Sequence, residues 1–170
     1  MKRLVYALYI FIIVIVVTPK EKLYFSFEQI LSENNIFISG ESFDNRFFYL
    51  DIDTGTLMLD NLDIATIDKI RVSPWIFFNR ITISSISFSP LYRTFFPGSV
   101  DEITLTYSLW HPLSIQIYGK GDFGHCDGAF DLLDQKMRVV FSPIPQLRNY
   151  PLLVSKLHHE KEGLVYESNF

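Results

Sequence analysis

The spacing of apolar positions changes period twice along this chain. Leu4, Val5, Tyr6, Ala7, Leu8, Tyr9, Ile10, Phe11, Ile12, Ile13, Val14, Ile15, Val16 and Val17 form an unbroken apolar run. Leu23, Phe27, Ile30 and Leu31 then recur at helical spacing, which predicts a helix over 21–34. Asn34-Asn35 supplies a stop, because Asn tolerates the left-handed conformation at a helix end. From Ile36 onward the period is two, the signature of strands with one apolar face.

Ile36 and Ile38 alternate up to Gly40. Phe48, Leu50 and Ile52 alternate up to Asp53-Thr54-Gly55, which predicts a hairpin turn before Leu57 and Leu59. Leu62 and Ile64, then Ile70 and Val72, continue the pattern. Ile81 and Ile83 are followed by Ile86 and Phe88, and the doubled Ser84-Ser85 between them shifts the phase as a β-bulge does. Ile103, Leu105, Tyr107 and Leu109 alternate cleanly, and Leu113, Ile115 and Ile117 run into Gly119, Gly121 and Gly124. Phe130 and Leu132 precede a turn, Met137, Val139 and Phe141 follow it, and Pro143 and Pro145 break the sheet. Leu147, Leu152, Leu153 and Leu157 predict a short helix over 146–159, interrupted by Pro151 and closed by Gly163 before a last strand from Leu164 to Tyr166. The fold class is therefore mainly β: an N-terminal transmembrane helix, then an antiparallel, twisted sheet of roughly eight to ten strands with two short helices. No repeat or linker divides it, so residues 1–20 form the anchor and 21–170 one β-rich domain.

As a helix the apolar run is about 21 Å long, shorter than the ~30 Å hydrocarbon core. Met1, Thr18 and Pro19 add roughly a turn. Its end, Ile15-Val16-Val17-Thr18-Pro19-Lys20, lacks the small pair of a signal-peptidase site. That favours an uncleaved anchor over a cleaved signal or a buried helix. Lys2 and Arg3 keep the N-terminus cytoplasmic and place the β domain across the membrane. No second apolar run approaches spanning length, so the expected topology is single-pass.

Beyond the run, loss of Lys2 and Arg3 takes the formal charge from −4 to −6. A mildly acidic domain has no footprint for nucleic acid, which needs clustered Lys and Arg. Cys126, the single cysteine, excludes an intrachain disulfide. Sixteen Phe residues predict an aromatic-rich core.

Several features together resemble one family. They are Lys2-Arg3 before the anchor; the strand Ile36-Phe37-Ile38-Ser39-Gly40; the ladder of Leu-x-Leu and Ile-x-Ile pairs; residues 113–124 ahead of Gly128-Ala129-Phe130-Asp131-Leu132; and the closing segments 152–157 and 162–166. This layout resembles the type II secretion system protein N (GspN) family, itself similar in outline to AsmA-like envelope proteins. Larger members have a longer domain, so by this resemblance the chain would be a compact version. The resemblance implies a single-pass inner-membrane protein with a periplasmic β domain. Its role would be accessory to a type II secretion or envelope transport machine, with other envelope or secretion proteins as partners. The alternative is an AsmA-like lipid-handling module that shields acyl chains on the apolar face of its sheet. The family lends no catalytic residues, and no enzyme activity, metal or cofactor is expected.

Candidate chemistry in the residues themselves is thin. His125-Cys126-Asp127 carries ligand and nucleophile types, but neighbours on a strand face opposite sides. Gly119-Lys120-Gly121-Asp122-Phe123-Gly124 contains a Gly-x-Gly-x-x-Gly string, yet strand pattern flanks it where a dinucleotide site needs a helix. It reads as part of a Gly-rich turn over 119–128. Asp51 and Asp53 could hold a cation or act as an acid/base pair, against their reading as the solvated face of an amphipathic strand. His158-His159-Glu160-Lys161-Glu162 reads as a solvated helix end. Leu164, Tyr166 and Phe170 faintly resemble the last strand of an outer-membrane barrel, against which the uncleaved anchor argues.

A surface carries more weight than any cluster. A sheet with one apolar face must cover it, and two short helices are little cover. A partner, a lipid chain or folding of the sheet on itself would close the gap. Trp75, Phe77, Phe78, Tyr92, Phe95, Phe96 and Trp110 suit the core, an apolar groove or a partner patch. The stretches 75–78 and 95–97 also suit loops at a membrane surface.

Overall fold

Alternation over most of the chain produces one very large sheet. The computed structural model describes residues 35–60, 62–75, 77–92, 98–142, 150–160 and 163–169, with Tyr24, Phe25, Glu28, Gln29 and Ser32 ahead of them. The expected anchor, residues 1–20, lies outside the described residues, as does most of the helix expected over 21–34. Tyr24, Phe25, Glu28, Gln29 and Ser32 have helical backbone. Among the described residues no helix is long and apolar enough to cross a membrane.

Eleven described strands form a single antiparallel sheet. They are β1 (Ile36–Ser39), β2 (Ser42–Asn45), β3 (Leu50–Leu59), β4 (Leu62–Pro74), β5 (Phe78–Phe88), β6 (Ser99–Ser108), β7 (His111–Gly121), β8 (Gly124–Asp131), β9 (Lys136–Phe141), β10 (His158–Glu160) and β11 (Gly163–Asn169). β3 to β9 form a meander; β11 pairs with β9 and β10 closes that side. β1 and β2 pair in tandem along the other side of β3, against 56–59 and 50–53 respectively. The break between them falls at Gly40, whose φ of 83° suits glycine.

The hairpins turn where a residue enters the left-handed region: Asp60 (φ 49°), Gly124 (φ 88°) and Gln135 (φ 50°). At the β8–β9 turn, Leu133 and Asp134 donate backbone N–H bonds to Asp131 Oδ1 at 2.8 and 3.0 Å, a side-chain turn typical of Asp.

The apolar residues of the sheet gather into one buried cluster. It includes Ile38, Leu50, Ile52, Ile67, Ile70, Val72, Ile86, Val100, Cys126, Val139 and Leu164. Leu50 and Val165 are fully buried, worth roughly 1.5–3 kcal/mol each in apolar transfer. From outside the strands, Tyr24, Tyr92, Phe123, Val154 and Leu157 join the same cluster.

The structure corrects several sequence expectations. Asp53-Thr54-Gly55 is no turn: β3 runs through it, and the chain reverses after Asp60. Gly55 is small for another reason, since a Cβ there would stand 2.8 Å from Ile38 Cγ2. Ser84-Ser85 is not a bulge with an extra residue. Ser85 has φ 55°, and pairing skips it, Asp68 and Asp101 at one level while the register on both sides is unchanged. Ile67 and Ile70, and Ile83 and Ile86, are therefore spaced by three, and the strands roll together. True register shifts occur between Leu57 and Met58 and between Val100 and Glu102. In the tail, the described helix α1 is Pro151–Ser155, and the part of the expected helix ahead of it, residues 146–149, lies outside the described residues. Proline suits a first helical turn, where its missing N–H has no partner to lose. His158–Glu160 is strand β10 and not a helix end.

Candidate functional site

The apolar face is not filled evenly. Between β5, β6, β7, β8 and β9 lies a groove of about 260 Å³ lined by Phe88, Val100, Ile103, Ile117, Gly119, Phe123, Cys126, Val139 and Phe141, with Tyr118 at its edge. No polar atom contributes to its accessible wall. The register explains how it forms. Ile103 pairs with Gly119, and Gly119 pairs with Cys126, so a missing side chain faces the hollow at its centre. A Cβ on Gly119 would lie 2.8 Å from Cys126 Sγ and 3.4 Å from Phe123 Cζ. Phe123, from the β7–β8 turn, folds inward and meets Phe141 edge to face at 5.8 Å.

Two further glycines set the walls. Gly121 and Gly128 lie so close to neighbouring backbone that side chains would collide: a Cβ on Gly121 meets Ser99 O at 2.7 Å, and one on Gly128 meets Arg138 O and Val139 Cα. The turn expected over 119–128 is confined to Asp122 and Phe123; Gly119 and Gly128 are strand residues. Sequence reasoning missed their role. The signal was present, because Ile115, Ile117, Gly119 and Gly121 keep one alternation, and a glycine on the apolar side of a strand marks a hollow.

A larger hollow, about 390 Å³, lies on the opposite face among Thr104, Thr106, Gln116, Asp127, Ala129, Arg138 and Val140. It is wide open and mixed in character. Gln116 Nε2 donates to Ser114 at 3.0 Å, and Arg138 Nη2 to Glu160 at 2.6 Å, so both side chains are held by partners outside the hollow.

His125, Cys126 and Asp127 do not converge. Cys126 lines the apolar groove, while Asp127 lines the opposite hollow and His125, like Asp127, is exposed. Burial, and secondarily Asp127, push the Cys126 thiol up to about 11, so at neutral pH it is a protonated, poorly nucleophilic thiol. Among the described residues no group of three or more His, Cys, Asp or Glu side chains could hold a metal ion.

Asp51 and Asp53 are brought together, with cations directly opposite. Asp51 pairs in register with Arg71, and Asp53 with Lys69. Arg71 Nε donates to Asp51 Oδ1 at 2.6 Å and Nη2 to Oδ2 at 2.8 Å; Lys69 Nζ reaches Asp51 and Asp53, each at 3.3 Å. Asp51 is buried rather than solvated. The hydrogen bond from Arg71 holds its carboxyl below the usual range, against the opposing effect of burial. Arg71 also lies over the Tyr49 ring at 4.5 Å. A saturated carboxylate is a cross-strand fastener, not a general base.

At the first edge, the Tyr24 hydroxyl donates to Glu41 at 2.9 Å, and its ring packs edge-on against Phe43 at 5.5 Å. Burial foremost, then Glu41, raise its pKa. Trp75 stacks between Phe48 and Phe78, and Phe77 on Trp110, all at one end of the sheet. Tyr92 joins the core cluster, whereas Phe95, Phe96 and Phe170 lie outside the described residues.

No protein-family model, no curated protein and no solved structure matches this chain.

Proposed function

We propose that the chain is a membrane-tethered envelope module of AsmA-like kind, whose sheet shields acyl chains on its apolar face. The observation that carries this reading is the groove beside Gly119, which has no hydrogen-bonding group in its accessible wall. A polar ligand would lose its hydration there without compensation. Each methylene buried would contribute about 0.8 kcal/mol. The apolar run at residues 4–17 and the GspN-like layout support an inner-membrane anchor with the sheet on the periplasmic side.

An accessory role in type II secretion, docking partners by strand addition, would need a free and regular edge. One edge is broken at Gly40; the other is stepped, with the three-residue β10, bearing His158, His159 and Glu160, covering only Gly163–Val165 of the charged β11. Short, broken and charged edges discourage pairing, which favours the groove as the working surface.

Native mass spectrometry of the full chain, extracted in mild detergent, tests the proposal. Phospholipid retained by the native protein and lost from Ile103→Phe, which fills the groove, is the expected result. A lipid-free protein, or equal lipid on the folded variant, would overturn it.

A further inference from the structure

Four hairpin links close at the same end of the sheet: β2–β3, β4–β5, β6–β7 and β8–β9. Each carries a large apolar residue at its tip: Phe47, Phe77, Trp110 and Leu133. Phe47, Trp110 and Leu133 are 72%, 75% and 70% exposed. Phe77 stacks on Trp110 at 6.1 Å, and behind the tips Trp75 stacks between Phe48 at 5.9 Å and Phe78 at 5.8 Å. At the opposite end, the exposed large apolar residues among those described are Leu59, Leu62 and Leu91, at 37%, 59% and 81%, with Phe37 on β1 at 41%, and Phe123 is turned inward.

The tether favours the aromatic end. Tyr24 packs on Phe43, and Phe43 pairs with Ile52 near the start of β3. Along β3 the aromatic end is about 7 Å from that point and the other end about 23 Å. The segment from Val17 to Tyr24 reaches about 25 Å when fully extended. It therefore spans to the aromatic end with slack, and to the other only when nearly taut.

We propose that this end of the sheet rests on the bilayer, with its aromatic tips inserted at the boundary between headgroups and acyl chains. Rigid aromatic rings favour that boundary. The inference rests on the membrane-tethered reading above and identifies the surface that meets the lipid. The charges nearby are few and mostly engaged: Arg46 is paired with Asp44 at 2.7 Å, Asp131 is engaged by its own turn, and Asp134 is exposed beside Leu133. Docking is therefore apolar and insensitive to salt, and a zwitterionic surface suffices. On β7 the alternation Leu113, Ile115, Ile117, Gly119 leads from this rim to the groove, about 20 Å away.

The two tryptophans of the sequence, Trp75 and Trp110, both sit in this rim and report on it directly. The full chain is reconstituted into phosphatidylcholine vesicles with or without brominated acyl chains, and flotation and tryptophan emission are read together. The expected result is flotation, quenching by brominated lipid that about 0.5 M salt, where the Debye length is ~4 Å, leaves unchanged, and poor access to iodide. The double variant Phe77→Ser with Leu133→Ser loses at least half of the quenching, whereas Leu91→Ser at the opposite end keeps it. Flotation with unquenched, iodide-accessible tryptophans overturns the inference and leaves the tether standing. Tryptophans shielded from iodide but unquenched by brominated lipid overturn it in favour of a protein contact. Failure to float overturns the tether and the inference together. Lipid retention in the groove is a separate readout, so failure of the shielding role is told apart from failure of the rim.

Discussion

Asp51 and Arg71 face each other across β3 and β4, and the guanidinium grips the carboxylate at two points, 2.6 and 2.8 Å long. Asp51 is only 6% exposed, so removal of the arginine leaves a buried charge with Lys69 as its remaining contact. Arg71→Met is expected to lower stability by about 2 kcal/mol, less than a fully buried pair because the arginine is half in water. Urea unfolding in mild detergent at pH 7 measures this. The double variant with Asp51→Asn should recover part of the loss, and additive losses would show that the two residues do not act as a pair.

The same pair fixes a pH dependence. The folded carboxyl of Asp51 titrates below its unfolded value, chiefly through the Arg71 hydrogen bond. Its contribution is thus fully present above the unfolded pKa of about 3.9 and disappears as pH falls through the lower folded value. The stability gap between the native protein and Asp51→Asn should be flat from pH 5 to 8 and narrow below pH 4. A gap that widens in acid would contradict the assignment.

How much of this was legible in the sequence follows from what alternation encodes. A period of two names the face of each residue, so the apolar side of β5 to β9 was readable from Ile81, Ile103, Ile117 and Val139 before any pairing was known. Where a strand ends is a weaker signal. Asp53-Thr54-Gly55 has turn composition, yet Gly55 is there because Ile38 presses against it from β1, a contact 17 residues away in the chain. The groove was legible only in part: Gly119 on the apolar alternation marks a gap, but the hollow's walls depend on Gly119 lying opposite both Ile103 and Cys126, and register is a property of pairs of strands. Asp51 looked solvated because its partners, Lys69 and Arg71, belong to the next strand.

Cys126 offers a probe of the groove wall. Its thiol is pushed up to about 11, principally by burial, so at pH 8 only ~0.1% is thiolate. Maleimide labelling of the native chain at pH 8 should be slower than labelling in urea by a factor of at least ~100. Because the folded pKa lies above the unfolded one, the neutral thiol's contribution is complete below pH 8.5 and is lost as pH rises toward 11. Cys126→Ala should flatten that alkaline slope. Prompt stoichiometric labelling of the native protein would mean that the groove is not closed around the sulfur.

Ser85 tests the roll of the sheet. Its φ of 55° places a side chain where L-residues lose roughly 1–2 kcal/mol, and it sits where pairing skips Asp68 on one side and Asp101 on the other. Ile83 and Ile86 both reach the apolar cluster only because the backbone turns over at this residue. Glycine adopts that conformation freely, so Ser85→Gly should be neutral or raise stability by up to about 1 kcal/mol, near 3 °C in Tm for a domain of this size. Valine carries a branched Cβ into the same conformation and should cost about 1–2 kcal/mol. Differential scanning fluorimetry of the two variants in detergent orders them. The roll would lose its support if Ser85→Val matched the native protein while Ser85→Gly melted earlier, since β propensity alone, without a left-handed residue, produces that order.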